Sequence, residues 1–275
     1  MMREPVEDYL EVNRRWWDES ARLHVNTELY PLDDVVAGLD TRRPFEDDEV
    51  GSVEGLDLLH LQCHLGTDTL GWARRGARVT GYDLSGVSLE IARDLFERTK
   101  TQGTFVEGPV SSASERLGTE RFDLVYTGIG ALTWLPDLAE WASVVRSLLR
   151  PSGRLYLVEL HPLLGVLRDD QPELDPAASY FYRPEGLRST DDGDYAAGTV
   201  TREYTTTLEW QHHLGAVLSA LLEAGFTLQS FREHDEISYA PWPAMERLSG
   251  QLRWRLGEGR AHLPLEYSLL ARRGK

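Results

Sequence analysis

The stretch at residues 57–85 constrains the fold of this chain more than any other part of the sequence. It begins with an apolar run, DLLHL, that is typical of a short buried strand, and the turn QCHLG follows. Thr67 or Asp68 can then cap a helix that ends near Gly76, a residue able to adopt positive φ. A second apolar strand ends on Asp83. Strand, turn, helix and strand with a carboxylate at the tip predict a nucleotide-binding βαβ unit.

The turn of this unit indicates which kind of nucleotide it would bind. A dinucleotide site needs three glycines, in the pattern G-x-G-x-x-G, so that a pyrophosphate can approach the backbone. The corresponding residues here are Gln62, His64 and Gly66, so two of the three glycines are absent. A ligand with one adenosyl group and an amino-acid tail needs less clearance, and Asp83 can accept both hydroxyls of its ribose. We therefore expect an adenosyl ligand and not a dinucleotide.

The run LHLQCHLG, followed by VTGYDLS, resembles the class I S-adenosylmethionine-dependent methyltransferases. It is most similar to a bacterial small-molecule subgroup whose first loop reads LHLQCHxG in place of LDLGCGxG. The resemblance implies S-adenosyl-L-methionine as cofactor and S-adenosyl-L-homocysteine as product. It places His60 where the usual acid stands, Leu84 against the adenine, and Tyr30 where relatives carry an aromatic residue that reaches the cofactor. The cofactor-binding residues expected in this sequence are Tyr30, Gln62, His64, Gly66, Asp83, Leu84, Val110, Ser111 and Thr127.

Two loops complete the predicted cofactor site. Relatives place an acid near Pro109 to accept from the adenine amino group, and proline cannot do so. Adenine recognition is therefore expected from the backbone of Val110 or from the hydroxyls of Ser111 and Ser112. The fourth strand runs into TGIGALTWLPD, which begins at Thr127, and its glycines let the backbone approach a ligand closely.

The implied fold is α/β, a Rossmann-like seven-stranded methyltransferase sheet with helices on both faces. Residues 1–50 are expected to form an N-terminal helical lid, with an amphipathic helix over 5–20 and little regular structure over 33–55. Residues 51–275 form the methyltransferase domain, and residues 163–205 are inserted after strand five. In this insertion aromatic or β-branched residues alternate with other residues over 180–182 and 200–204, a pattern typical of strands. It predicts a two-stranded flap that caps the substrate.

Catalytic residues are less constrained, because methyl transfer from a sulfonium depends mainly on alignment and needs a base only if the acceptor loses a proton. His161, at the tip of strand five, is the first candidate base, and a structural hydrogen-bonding role is its alternative. His212, expected to cap or begin a helix at 207–224, is the second candidate for substrate contact. Glu159 would either anchor an acceptor amine or neutralise a neighbour. No metal is predicted, because His60, Cys63 and His64 along one strand and turn do not surround one ion.

Charge and composition narrow the partners. The net charge of −16 and the pI of about 4.9 repel phosphate backbones, and the fourth-strand loop lacks the Asn/Asp-Pro-Pro-Tyr signature of enzymes that methylate base amino groups. The single cysteine, Cys63, fits a reducing cytoplasm. No apolar signal core is visible, and no window reaches the ~20 apolar residues of a membrane span. We expect a cytoplasmic protein, monomer or homodimer, with a small-molecule substrate and neither nucleic acid nor membrane as partner.

The predicted activity is methyl transfer from S-adenosylmethionine to a small acceptor, at oxygen or nitrogen more than at carbon. The altered loop leaves open an enzyme that cyclises or cleaves the same cofactor, and a non-catalytic cofactor-binding protein or a dehydrogenase are the remaining alternatives. The sequence does not identify the acceptor.

Overall fold

The structure is a computed structural model that describes residues 8–168, 171–175, 178–248, 252–259 and 262–274. The start of the predicted lid helix and four positions of the predicted cap therefore lie outside the described residues.

Strands and helices alternate through the first half of the chain, as a doubly wound fold requires. The strands are β1 (Asp57–Leu61), β2 (Arg78–Asp83), β3 (Thr104–Glu107), β4 (Phe122–Thr127), β5 (Leu149–Leu160), β6 (Leu187–Thr190), β7 (Gly193–Asp194), β8 (Gly198–Thr199), β9 (Thr206–Glu209), β10 (Phe226–His234), β11 (Glu236–Ile237), β12 (Met245–Arg247), β13 (Trp254–Leu256) and β14 (Glu266–Arg273). The α-helices are α1 (Tyr9–His24), α2 (Leu32–Ala37), α3 (Glu46–Val50), α4 (Thr67–Ala73), α5 (Gly86–Arg98), α6 (Ala113–Leu117), α7 (Leu138–Leu148) and α8 (Leu214–Glu223). Short 3₁₀ helices cover Val110–Ser112, Leu132–Trp134 and Leu164–Val166.

The central sheet has seven strands in the order β3, β2, β1, β4, β5, β14, β10. Neighbours from β3 to β5 are parallel, whereas β14 runs antiparallel to both β5 and β10. This is the predicted seven-stranded Rossmann-like sheet. The chain adds strands on one side of β1 and then on the other, so β1 and β4 are neighbours at a topological switch point. In open α/β sheets ligands bind in the crevice at the carboxyl ends of the strands at such a point.

Helices cover both faces of the sheet, as predicted. On one face α6, α7 and α8 bury residues such as Trp141 and Leu221, and on the other face α4 and α5 bury Trp72 and Leu95. Within the described ranges, none of the helices combines the length and the apolar character that a membrane crossing requires.

The N-terminal region differs from the prediction in its details. The amphipathic helix, expected over 5–20, covers Tyr9–His24. Its N-cap residue is Asp8, whose carboxylate accepts the N–H of Leu10, and the helix packs on α5 and β9. The prediction of little regular structure over 33–55 is wrong, because α2 and α3 lie there. Both are too short to show a helical period, and they are held by burial of Val35 and Val50 in the core.

The insertion also differs from the predicted flap. Within it β7 pairs with β8, and β6 pairs with β9, which follows the insertion directly. The predicted strands at 180–182 and 200–204 are not formed. The aromatic ring of Tyr182 stacks on His212 and its hydroxyl donates to the carbonyl of Pro136, so tertiary contacts and not strand pairing explain this aromatic segment. The predicted helix at 207–224 likewise begins only at Leu214, because its first residues belong to β9.

Candidate functional site

The loop between β1 and α4 keeps the backbone of a glycine-rich loop without two of the glycines. Gln62, His64 and Gly66 all have left-handed φ, of 62°, 47° and 76°. Glycine adopts this conformation freely, whereas other residues pay about 1–2 kcal/mol each. Gly66, and neither Thr67 nor Asp68, is the N-cap residue of α4, and no side chain caps this helix.

Asp83 ends β2 beside this loop, where it was predicted to bind the ribose. Its Oδ2 accepts the backbone N–H of His64 at 2.8 Å, and its Oδ1 accepts that of Ser85 at 2.9 Å. Burial raises the pKa of this carboxyl to about 6. Each carboxylate oxygen has a second lone pair, so both can still accept a ligand hydroxyl. Leu84 follows at the same edge of the sheet and is half-buried.

Two buried polar atoms at the ends of β1 and β4 have no hydrogen-bond partner within the part of the chain that the structure describes. Gln62 donates from Nε2 to the carbonyl oxygen of Ala131 at 2.9 Å, whereas its Oε1 is buried without a hydrogen bond. The hydroxyl of Thr127 is also buried and unpaired among the described residues. Buried polar atoms left without partners are costly, so both atoms favour a ligand that carries a hydrogen-bonding group into this crevice.

The loop after β3 lies at the other end of the crevice. Val110 is buried and begins a 3₁₀ helix, and the exposed Ser111 follows. Both line a cavity of about 20 Å³, enough for one water molecule, together with residues from α1 and from the loop before α7. Ser112 is a less suitable adenine partner than expected, because its hydroxyl already bonds Tyr82 and Pro109.

A buried hydrogen-bonded chain joins the loop between β1 and α4 to distant parts of the sequence. His64 Nε2 lies 2.8 Å from Nδ1 of His24 in α1, and Nε2 of His24 lies 3.0 Å from Oδ1 of Asp194 in β7. The other ring nitrogen of His64 lies 3.1 Å from the Ser88 hydroxyl.

Burial lowers the pKa of His64 well below its ordinary value. Burial alone would raise the pKa of Asp194, but the interaction with His24 and the backbone N–H groups of Ala196 and Ala197 together outweigh burial and lower that pKa. Neither His24 nor Asp194 was predicted from the sequence, and no local signal marks them.

Tyr30 lies against the same chain. Its ring stacks on His24 with the ring centroids 4.8 Å apart, and its hydroxyl lies 2.5 Å from the hydroxyl of Tyr195 in the insertion. Burial raises the pKa of Tyr30 to about 12, so the pair is neutral and one hydroxyl donates to the other. The predicted cofactor residues Tyr30 and His64 are thus brought together, with the insertion closing over them.

His161 is held by protein groups on both ring nitrogens. The N–H of Leu163 donates to Nδ1 at 3.1 Å, and Nε2 lies 3.0 Å from a carboxylate oxygen of Glu233. A neutral imidazole has one lone pair, and the bond from Leu163 uses it. This geometry favours the structural alternative for His161 over the role of base.

His212 does not cap the helix that was expected to begin there. The N-cap of α8 is His213, whose ring accepts the N–H of Ala216. The ring of His212 donates from Nε2 to the carbonyl of Leu135 at 2.7 Å, in the loop after β4. This bond leaves the lone pair of the neutral ring on Nδ1, and burial lowers the pKa of His212.

Glu159 organises the loop after β4. Its carboxylate accepts the backbone N–H groups of Gly130, Leu132 and Leu160. Burial raises its pKa to about 7, although these three N–H groups oppose that shift. Its oxygens are therefore engaged by the protein, and the observed role is to shape the loop and not to anchor an acceptor amine.

The residues considered for a metal have other partners. His60 is buried with Nδ1 2.7 Å from the Thr69 hydroxyl, and burial raises the pKa of the Cys63 thiol well above its ordinary value. Within the described ranges, no group of three or more His, Cys, Asp or Glu side chains could hold a metal ion.

Comparison with known proteins bears on this site. Residues 59–155 match the family model of a methyltransferase domain. The ubiquinone biosynthesis O-methyltransferase of Leptothrix cholodnii is 28% identical over 153 residues, which cover 54% of this chain and 59% of that protein. The chain thus matches less than two thirds of the length of this curated relative.

Solved structures share the fold. An S-adenosylmethionine-dependent methyltransferase from Mesorhizobium loti superposes with a TM-score of 0.58 at 20% identity, over 86% of this chain and all of that one. The 1,6-didemethyltoxoflavin-N1-methyltransferase of Burkholderia thailandensis, solved with 1,6-didemethyltoxoflavin and S-adenosylhomocysteine, superposes with a TM-score of 0.53 at 17% identity. That match covers all of this chain and 93% of the other. The predicted resemblance to S-adenosylmethionine-dependent methyltransferases and the predicted seven-stranded, Rossmann-like α/β sheet are confirmed.

Proposed function

We propose that this chain, which has the fold of the class I S-adenosylmethionine-dependent methyltransferases and a methyltransferase domain at residues 59–155, transfers a methyl group from S-adenosylmethionine to a small-molecule acceptor. The observation that carries the proposal is the left-handed backbone of Gln62, His64 and Gly66 beside the Asp83 carboxylate, at the switch point of the sheet. This is the arrangement that an adenosyl group needs.

The residues present fit the cofactor. Asp83 would accept the ribose hydroxyls, and Leu84, Val110 and Ser111 would surround the adenine. The unpaired Oε1 of Gln62 would accept from the amino group of the amino-acid tail, and the unpaired hydroxyl of Thr127 lies on the neighbouring strand. Tyr30 and His64 would close the site from the side of α1. When bound, the cofactor supplies an electrophilic methyl group on a sulfonium.

The protein's contribution is to position the acceptor and exclude water. Both α1 and the insertion lie over the loop after β1, and they are joined to it by the bonds of His64 with His24 and of His24 with Asp194. Holding two reactants in one orientation can supply about 7–11 kcal/mol of the barrier, so much of the acceleration needs no reacting side chain.

A proton acceptor is required only if the substrate loses a proton in or before the transfer. His212 is our candidate, because its bond to Leu135 fixes the tautomer and holds the ring at the loop after β4. Burial keeps this ring neutral at pH 7, which suits a base. We assign His161 the role of a structural residue.

The acceptor is proposed to be a small molecule methylated at oxygen or nitrogen. The Leptothrix relative is described as an O-methyltransferase and the Burkholderia neighbour as an N1-methyltransferase, which supports either atom. The net charge of −16 disfavours nucleic acid, and the one cysteine, which is buried, fits a reducing cytoplasm. A monomer or a homodimer would serve this activity equally.

Thermal unfolding with added ligands tests the cofactor. A ligand present at 100 times its Kd stabilises the folded state by about 2.7 kcal/mol. We expect S-adenosylmethionine and S-adenosylhomocysteine to raise Tm and NAD to leave it unchanged. A rise with NAD alone would refute the proposal.

A second assay tests the chemistry. Cofactor carrying a labelled methyl group is incubated with panels of phenols, carboxylates and amines, and transfer of label to an acceptor is the expected result. A parallel reaction without acceptor is searched for cyclised or cleaved cofactor. Such products without any methyl transfer would favour the alternative enzyme that breaks down the cofactor.

A further inference from the structure

His64 occupies a backbone conformation that suits glycine. Its φ of 47° is left-handed. For a side chain with a Cβ this conformation is unfavourable, so surrounding contacts must hold it in place. The hydrogen bonds of the His64 ring to Ser88 and His24 are among the contacts that the structure provides, beside the edge-to-face packing of Trp17 and Tyr30 on this ring.

The ring is fixed at both nitrogens by buried partners. On one side Ser88 in α5 lies 3.1 Å from Nδ1, and on the other His24 lies 2.8 Å from Nε2. His24 is itself fully buried and is oriented by Asp194, with 3.0 Å between Nε2 and Oδ1. Because the Asp194 carboxylate accepts the Nε2–H of His24, a neutral His24 presents its Nδ1 lone pair to the Nε2–H of His64.

Asp194 is in turn held firmly in the insertion. Its carboxylate accepts the N–H groups of Ala196 and Ala197 and receives a bond from Arg202 at 2.9 Å. Arg202 also bonds the Ser20 hydroxyl in α1. The orientation of His24 therefore depends on a charge supplied by the insertion.

The backbone of His64 connects this chain to the ribose site. The N–H of His64 is one of the two backbone donors that orient the Asp83 carboxylate, at 2.8 Å from Oδ2. A change in the φ of His64 would turn this N–H away from Asp83. The hydrogen bonds of the His64 side chain therefore affect the position of the Asp83 carboxylate through the backbone of His64.

We propose that His24 and Asp194 are positioning residues that hold His64 in its left-handed conformation and thereby hold Asp83 for the cofactor ribose. The inference rests on the proposed function. It makes the insertion after β5 part of the cofactor site, although Asp194 is not among the residues expected to touch the cofactor. Glycine at position 64 needs no such support, so the requirement for His24 should disappear with the histidine ring.

The test measures the Kd of S-adenosylhomocysteine by calorimetry, which needs no acceptor, for His24→Phe, His64→Gly and the double variant. We expect His24→Phe to weaken binding at least tenfold relative to the unchanged protein. His64→Gly removes a ring that is proposed to close the cofactor site, so its own Kd is the reference for the double variant. The double variant should bind within threefold of His64→Gly, so that removing the histidine ring rescues the loss. A role for His24 in packing alone would not be rescued in this way.

Two further variants keep the test decisive. Asp194→Asn, which removes the charge and keeps the shape, should also weaken binding and should also be rescued by His64→Gly, and it replaces His24→Phe if that variant does not fold. Asn13→Ala removes a different contact of α1, the paired bonds of Asn13 with the backbone of Leu208 in β9, and should change the Kd less than twofold.

Equal losses from His24→Phe in both backgrounds, or no loss in either, would overturn the positioning role and leave the proposed function intact. Failure of the unchanged protein to bind S-adenosylhomocysteine would overturn the proposed function and this inference with it.

Discussion

The side-chain amide of Gln62 donates to the carbonyl oxygen of Ala131 at 2.9 Å and ties the loop after β1 to the loop after β4. The other side-chain atom of the amide, Oε1, is buried at the end of β1 and has no hydrogen-bond partner among the described residues. A hydrogen bond to a charged group contributes about 1.5–3 kcal/mol. If Oε1 receives the cofactor's ammonium group, Gln62→Ala should lower the affinity for S-adenosylhomocysteine about tenfold to a hundredfold, as measured by calorimetry.

A truncated ligand provides the control for this variant. Methylthioadenosine has the adenosyl group and lacks the amino-acid tail, so Gln62→Ala should leave its Kd nearly unchanged. Equal losses for both ligands would show that Gln62 supports the loop in general and does not contact the tail.

The affinity for the cofactor should depend on pH through Asp83. Burial raises the pKa of this carboxyl to about 6, and the ionised form is the better acceptor for ribose hydroxyls. A ligand that prefers the ionised form binds more weakly as pH falls through 6. Between pH 7.5 and 5.0 we expect the Kd of S-adenosylhomocysteine to rise about tenfold, as protonation of a group with this pKa requires.

Two variants identify the group responsible for this pH dependence. Asp83→Asn should bind weakly at every pH and show no slope. Glu46→Gln removes another buried carboxyl, whose pKa burial raises to about 7, and should keep the slope of the unchanged protein. A slope that persists in Asp83→Asn and vanishes in Glu46→Gln would contradict the assignment.

The two histidines singled out from the sequence should behave differently once an acceptor is found. His212→Ala removes the proposed base and should lower kcat by a factor of about 10² to 10⁴. In His161→Asn the side-chain oxygen can still accept the N–H of Leu163, so kcat should stay within about threefold. Steady-state rates of the two variants with the same acceptor make this comparison. The opposite ranking would restore His161 as the base.

The parts of the site that could be predicted are those encoded by local patterns. The apolar run at 58–61, the turn and the terminal carboxylate of Asp83 lie within thirty residues, so spacing alone predicts the βαβ unit. The N-cap of α5 is also predictable from local sequence, because a serine directly before a helical pattern is a common N-cap residue. The structure shows the Ser85 hydroxyl accepting the N–H of Ser88.

The parts that could not be predicted depend on contacts between distant residues. His24 bonds His64, which lies 40 residues away in the sequence, and Asp194, which lies 170 residues away. Only the folded chain brings these side chains together. Helix α3 has five residues, too few for a period to emerge. The roles of His161 and Glu159 were open because hydrogen-bond partners such as Glu233 and Gly130 come from other elements.

Glu159 should make stability depend on pH in a defined direction. Its pKa in the folded state is raised to about 7 by burial, against an ordinary value of 4.5. A carboxyl with a raised folded pKa contributes stability that is fully present below pH 4.5 and is lost as pH rises through 7. Relative to Glu159→Gln, which does not titrate, the unchanged protein should lose about 2–3 kcal/mol of unfolding free energy between pH 5 and 8.

Urea unfolding of both proteins at several pH values measures this difference. The glutamine amide faces one backbone N–H unfavourably, but that penalty is the same at every pH and does not affect the slope. Parallel pH profiles would mean that the three backbone donors keep the pKa of Glu159 near its ordinary value.

Gly66 and Gly130 form a matched pair that separates backbone strain from close packing. Their φ values, 76° and 74°, are nearly equal, so an alanine at either position pays the same left-handed penalty of about 1–2 kcal/mol. A Cβ on Gly66 would lie 2.9 Å from the Cβ of Ala92 in α5, whereas a Cβ on Gly130 would meet nothing within 4 Å. Overpacking typically costs a further 1–3 kcal/mol.

We therefore expect Gly66→Ala to be less stable than Gly130→Ala by about that amount in urea unfolding. Because alanine restricts the unfolded chain equally at both positions, that effect cancels in the comparison. Equal unfolding free energies of the two variants would mean that α5 moves away from position 66 at little cost. The close approach of Gly66 to Ala92 would then not determine the position of the loop between β1 and α4.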